Sequence, residues 1–180
     1  MLRHAPSERF GITGEPRLDD DVVFQMGAMI TAAVPQPLVF TASTTAKHPP
    51  ADYVEYDIPV FSDRLVGALR NAGVDNLQLF PARLHNPQTG EQWQGYQAVN
   101  ILGLVSCLAI AESKAKPDLP PLYAFDLSDL VIQEARTGGA LLFRLAESPS
   151  VVLLERRVGD ALLDSRPEFR GIELRDVESV

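Results

Sequence analysis

Two stretches of the chain share one arrangement of apolar and polar positions. In residues 60–73, Val60 and Phe61 are followed by polar Ser62 and Asp63, then Arg64, with Leu65, Ala68, Leu69 and Ala72 recurring at helical spacing. In residues 153–162, Leu153 and Leu154 precede Glu155, Arg156 and Arg157, with Val158, Ala161 and Leu162 spaced alike. Arg64 thus falls on Arg157, Leu65 on Val158, and Ala68-Leu69 on Ala161-Leu162, about 93 positions apart. Such a stripe marks a helix with one buried face. Each copy runs on into further apolar-alternating residues, 77–80 and 172–177. The pattern predicts a strand–helix–strand unit written twice. End signals agree in the first copy: the Ser62 hydroxyl can accept from a first-turn amide, Asp63 suits the positive end of the helix dipole, and Gly73 suits the left-handed exit.

Around these units the pattern is mostly β. Residues 1–21 are polar and broken by Pro6, Gly11, Gly14 and Pro16, which predicts an irregular or partly extended lead-in. An apolar segment from Val22 ends at Pro35-Gln36-Pro37. Residues 38–41 read as a strand, 43–51 as a loop and 53–56 as a short strand. Runs at 77–84 and 92–101 flank Asn86-Pro87-Gln88-Thr89-Gly90, which has hairpin chemistry. Residues 112–121 read as an exposed loop. Strands are expected at 122–126, 130–133 and 140–145, with Gly138-Gly139 turning before the last. No low-complexity block or linker divides the chain, so residues 1–180 are expected to form one α+β domain of mainly antiparallel sheet with two strand–helix–strand units.

Composition narrows the function. At 180 residues, with 46% hydrophobic and 22% charged positions, the chain reads as globular. Its net charge of −8 argues against nucleic acid, because neutralising phosphates needs a surplus of Lys and Arg. The same charge suits a soluble acidic surface or a basic partner. The lone Cys107 excludes an intramolecular disulfide and, in the apolar run 101–108, is expected to be a buried structural thiol. Residues 1–21 hold no apolar signal segment, and the apolar run at 26–34 is too short to span a bilayer. The expectation is a cytoplasmic protein with no membrane contact.

Candidate chemistry is sparse. His4, His48 and His85 have no His or Cys at metal-ligand spacing. The chain has no His-Glu-x-x-His, Cys-x-x-Cys, Gly-x-Ser-x-Gly, Gly-x-Gly-x-x-Gly or Walker A motif. Asp19-Asp20-Asp21 offers carboxylates to a divalent cation, but neighbours on an extended chain point in alternating directions, so a solvated acidic loop is expected. Arg64 and Arg157 read either as clamps for a phosphate or carboxylate or as structural partners of nearby acids; their recurrence favours the second. Trp93 and Tyr96, an odd number of positions apart, should face opposite sides of a strand. One then belongs to the core and the other is a candidate partner anchor.

The run from Phe61 to Val177 resembles a known family. The carrying blocks are Val60-Phe61-Ser62-Asp63-Arg64-Leu65, Gly73-Val74-Asp75-Asn76-Leu77-Gln78-Leu79-Phe80-Pro81, Gly95-Tyr96-Gln97-Ala98-Val99-Asn100-Ile101-Leu102, Leu141-Leu142-Phe143-Arg144-Leu145, and Arg156-Arg157-Val158 through Ala161-Leu162 to Gly171-Ile172-Glu173-Leu174. In order and spacing they resemble the myxobacterial-type immunity proteins of bacterial polymorphic toxin systems, long catalogued as a domain of unknown function. The family's last unit commonly opens with a Ser-Glu-like cap, where this chain has Leu154-Glu155. Residues 1–55 show no counterpart and are expected to be a variable N-terminal part ahead of the family-like region 56–180. The resemblance implies a non-enzymatic inhibitor, without cofactor or metal, that neutralises a cognate toxin encoded beside it. Such toxins are often nucleases with basic surfaces. The toxin-binding candidates are Asp19, Asp20, Asp21, Glu55 and Asp57, with Trp93 or Tyr96 as apolar anchor. A small metal-dependent hydrolase and a ligand-binding regulatory domain stay open as other classes; the oligomeric state is open too.

Overall fold

The lead-in is more ordered than its breakers suggest. A computed structural model gives residues 1–4, 11–119 and 121–180, and within it Leu2–His4 forms strand β1 and Ile12–Gly14 forms β2. Both are only three residues long. They are strands because distant segments supply their hydrogen-bond partners, which a local pattern does not report. Pro6 of the lead-in and Pro120 of the 112–121 loop lie outside the described residues.

Leu38–Ala42 (β3), Tyr53–Glu55 (β4) and Pro59–Ser62 (β5) fall where apolar and aromatic residues concentrate. Helix α1, Asp63–Asn71, starts at Ser62, whose hydroxyl accepts from the Leu65 amide at 3.2 Å. It buries Leu65, Val66 and Leu69 and is left through Gly73 at φ +97°. Leu77–His85 (β6) and Gln92–Ile101 (β7) form the expected hairpin. Its turn is held by Asn86, whose Oδ1 accepts from the amides of Gln88 and Thr89.

Short strands follow at Leu104–Val105 (β8), Lys116–Pro117 (β9), Tyr123–Ala124 (β10) and Val131–Ile132 (β11). The 112–121 loop is therefore anchored rather than wholly exposed. It contains β9, and its Ser113 is buried, with its hydroxyl donating to the Val131 carbonyl and accepting from the Val131 amide, each at 3.0 Å. Leu142–Leu145 (β12), Ser148–Leu154 (β13), helix α2 at Arg156–Leu163, Ile172–Leu174 (β14) and Glu178–Ser179 (β15) complete the chain. The cap of α2 is Glu155, whose carboxylate accepts from the Arg157 amide at 3.2 Å.

Two sheets carry the architecture. One runs β2-β3-β6-β7-β5-β4, the other β14-β1-β13-β12-β8. Each is mixed: β3 pairs parallel with β6, and β12 with β8, amid antiparallel neighbours. The class is α+β. Strand, helix and strand follow one another at β5–α1–β6 and again at β13–α2–β14. In both places one strand antiparallel to the other two separates them, β7 in the first and β1 in the second. The two helices touch.

Three apolar clusters lie against these sheets. The outer face of the six-stranded sheet, with Phe40, Phe80, Leu84 and Ala98, is covered by Phe24 and Ile30 from the apolar segment after Val22. Between the sheets, Phe61, Leu65, Leu69 and Val99 meet Leu2, Leu142, Val152, Val158 and Leu162. The far face of the five-stranded sheet packs Phe143, Leu145 and Leu153 on Cys107, Leu108 and Leu130. Alternation along β12 explains the split, since Leu142 faces the middle cluster and Phe143 and Leu145 the outer one.

Candidate functional site

The acidic candidates divide by environment. Asp19, Asp20 and Asp21 sit exposed on a turn closed by the Val22 amide donating to the Asp19 carbonyl at 2.9 Å. Asp57 is exposed just after β4. The segment that bears the three aspartates is tied to it: Glu15 Oε1 accepts from the amides of Asp57 and Ile58 at 2.9 and 2.7 Å, and Gln25 Nε2 donates to the Asp57 carbonyl at 3.1 Å. Glu15, absent from the sequence candidates, thus joins Asp57 and Glu55. Burial raises its carboxyl pKa, the two amide hydrogen bonds lower it, and the Asp57 charge adds to the rise.

Glu55 differs from the rest. It closes β4 half-buried, and its Oε2 accepts from the Tyr53 hydroxyl at 2.6 Å. Burial raises its carboxyl pKa, partly offset by that hydrogen bond and by the charge of Arg144, while Glu15 and Asp57 push it further up. Arg144 is fully buried on β12. It shares the face of Leu142 and Val152, between the sheets. Its Nη1 donates to the Pro149 carbonyl at 2.7 Å, whereas Nε and Nη2 have no hydrogen-bond partner among the described residues. Burial lowers its guanidinium pKa and the Glu55 and Tyr53 charges oppose that. A buried cation is tolerated only near a counter-charge, and Glu55 is the carboxylate acting on it. The sequence signal was available: Arg144 interrupts the run Leu141-Leu142-Phe143-Arg144-Leu145.

Trp93 and Tyr96 do not face opposite sides of β7. Ala82 pairs with Tyr96 and Leu84 with Trp93, so β7 spends one more residue than β6 across this stretch. Gly95, at φ +79°, takes up the extra residue. Such a bulge turns the strand over and brings both rings, half-buried, onto the outer cluster of the six-stranded sheet. The Tyr96 hydroxyl donates to the Pro50 carbonyl at 3.2 Å; burial and the Asp52 charge push its pKa up to about 12 against the opposing Arg170 charge. These rings are packed on a different region from Glu55.

The two arginines part company. Arg64 lies over the Phe169 ring at 4.0 Å and grips Asp52 through Nε and Nη2 at 3.3 and 2.8 Å. It also donates to the carbonyls of Pro167 and Glu168. Asp52 further accepts from the Ser62 hydroxyl at 2.7 Å and the Arg170 amide at 2.9 Å. The network ties residues 167–170 to the start of α1. Arg157 is exposed and pairs with Glu155 at 3.0 Å. Cys107 is buried, and burial with the Glu147 charge pushes its thiol up to about 11 against the opposing Arg136 charge.

Among the described residues, no three His, Cys, Asp or Glu side chains are placed to hold a metal ion, and no helix is long and apolar enough to cross a membrane. The arrangement offers an acidic rim at Glu15, Glu55 and Asp57, backed by a sealed cation. No curated protein matches the chain. The model of the Immunity protein family (Imm11) matches residues 5–179, nearly the whole chain, and the protein belongs to that family.

Proposed function

We propose that this protein binds and neutralises a cognate toxin in the cytoplasm, holding it as a stoichiometric inhibitor without turnover of its own. The observation that carries the reading is the family match over residues 5–179. It takes in most of the first 55 residues, and the acidic rim draws on them through Glu15 and Glu55. The toxin surface is basic, and a nuclease supplies that surface for its own reason, the phosphates it must hold. The −8 chain meets it through Glu55, Asp57 and the Asp19–Asp21 turn. Trp93 and Tyr96 serve as secondary apolar contacts.

Co-expression with the product of the adjacent reading frame tests this. The expected result is rescue of growth and a one-to-one complex on co-purification. Growth arrest that persists at high expression of this protein, with no complex, would overturn it.

A further inference from the structure

A cleft of about 510 Å³ opens beside β4, where the edge of the six-stranded sheet meets β1 of the other. Four aromatic residues, Tyr53, Tyr56, Tyr123 and Phe125, are among those that line it, beside the polar Ser148 and Ser150. Among the described residues, its only lining carboxylate is Glu55. The volume falls within the range of small-ligand sites, about 300–1,000 Å³, which leaves room for one long side chain and part of the loop that bears it. Tyr56 is 65% exposed, an aromatic residue left in water beside a half-buried acid.

The chemistry of these walls selects a cation. Ring faces attract ammonium and guanidinium groups, and a carboxylate screened from water attracts them more strongly than one in bulk solvent. Glu55 has capacity left for such a guest, because only its Oε2 is engaged, by Tyr53; among the described residues nothing donates to Oε1. Arg144 does not line the cleft, and its guanidinium is sealed behind the wall. Glu15 and Asp57 add negative charge around Glu55 and so oppose the influence of Arg144 on it. An apolar guest would satisfy the rings but leave Glu55 desolvated and uncompensated.

We propose that this cleft takes an arginine or lysine side chain of the partner toxin, with Glu55 as its counter-charge and the rings of Tyr56, Tyr123 and Phe125 beside it. The proposal rests on the immunity reading above. It makes Glu55 and Tyr56 the centre of the interface, with Asp57 and the Asp19–Asp21 turn as outlying charges.

Two measurements test it. In the first, the product of the adjacent reading frame is titrated calorimetrically with wild type, Glu55→Gln and Tyr56→Ser. Each substitution is expected to weaken binding at least about tenfold, the scale of an interface hot spot. Glu55→Gln also strips Arg144 of its counter-charge and could unfold the protein; Tyr56→Ser alters an exposed ring and keeps the test open. In the second, N-acetyl-arginine amide is added to the protein alone, with N-acetyl-norleucine amide as its uncharged counterpart. NMR shifts centred on Tyr56 and Tyr123 are expected for the first and not the second. Tight wild-type binding that both substitutions leave within about threefold would overturn the cleft and leave the immunity reading standing. Loss with Tyr56→Ser but not Glu55→Gln would mean an apolar anchor and also overturn it. If wild type neither binds nor protects, the immunity reading falls; the amide titration then decides the cleft alone, and equal shifts from both amides would overturn it.

Discussion

At Gly171 the backbone takes φ +76°, and a Cβ there would run into the Tyr53 carbonyl oxygen and come within 2.6 Å of the Ala51 Cβ. Glycine is needed twice over, for its conformation and for the close approach of two backbones. Gly171→Ala should therefore cost more than about 1 kcal/mol, read as a shift of the urea midpoint at unchanged slope; a midpoint equal to wild type would contradict the contact. Asp52 carries a pH signature. Burial alone would raise its carboxyl pKa, but Arg64, the Arg170 amide and Ser62 together hold it below its ordinary 3.8. A carboxyl lowered by folding stabilises the protein above its unfolded pKa, and that contribution disappears as pH falls through the folded value. Asp52→Asn should be less stable than wild type at neutral pH, and the gap should close on acidification below about pH 4. Urea titrations at a series of pH values measure this. Glu55 has the opposite sign: its pKa is raised from 4.5, so its ionisation costs stability as pH rises through the folded value.

At the scale of elements, α1 and α2 are placed by the same device. Each follows a strand directly, is capped by the side chain of the residue before it, Ser62 or Glu155, and buries equivalent positions. Leu69 is fully buried and Leu162 is 4% exposed, both in the cluster between the sheets. Leu69→Ala and Leu162→Ala should each cost about 2–5 kcal/mol. Reading the two units as duplicates requires losses of similar size, so a thermal unfolding curve unchanged in either variant would break it. The stripe shared by the two helices was legible because helical periodicity is local, and so were the Ser62 cap and the Gly73 exit of α1; α2 has no such exit glycine and ends at Asp164. The same reasoning failed for Trp93 and Tyr96, where alternation was counted through Gly95. A glycine inside a strand pattern is the usual mark of a bulge, and one inserted residue reverses every face beyond it.

On the proposal of a basic partner, charge at the scale of the whole molecule should set how the two meet. With a net charge of −8, complementary attraction should raise association from roughly 10⁵–10⁶ towards 10⁸–10⁹ M⁻¹s⁻¹ at low salt. Added salt should slow association far more than it speeds dissociation, because screening acts on the long-range field. Stopped-flow association with the adjacent gene's product, for wild type and for a variant with Asp19, Asp20, Asp21, Glu55 and Asp57 neutralised, checks this. A rate indifferent both to salt and to the five substitutions would remove the acidic face from the account. Part of this picture was fixed by the residues alone. The hairpin, the two helices with the Ser62 cap of the first, the α+β class, the buried thiol and the acidic balance follow from spacing and composition, because each depends on neighbours within about a helical turn or a strand. Tertiary structure decided the rest. Leu2–His4 is a strand because β13 and β14 flank it, and β3 lies parallel to β6 across a long connection. Glu55 owes its raised pKa first to burial, opposed by the Tyr53 hydrogen bond and by Arg144, a residue 89 positions away in the chain. Burial and charge coupling are properties of distance in space, and the chain order does not encode that distance until the sheets have closed on each other.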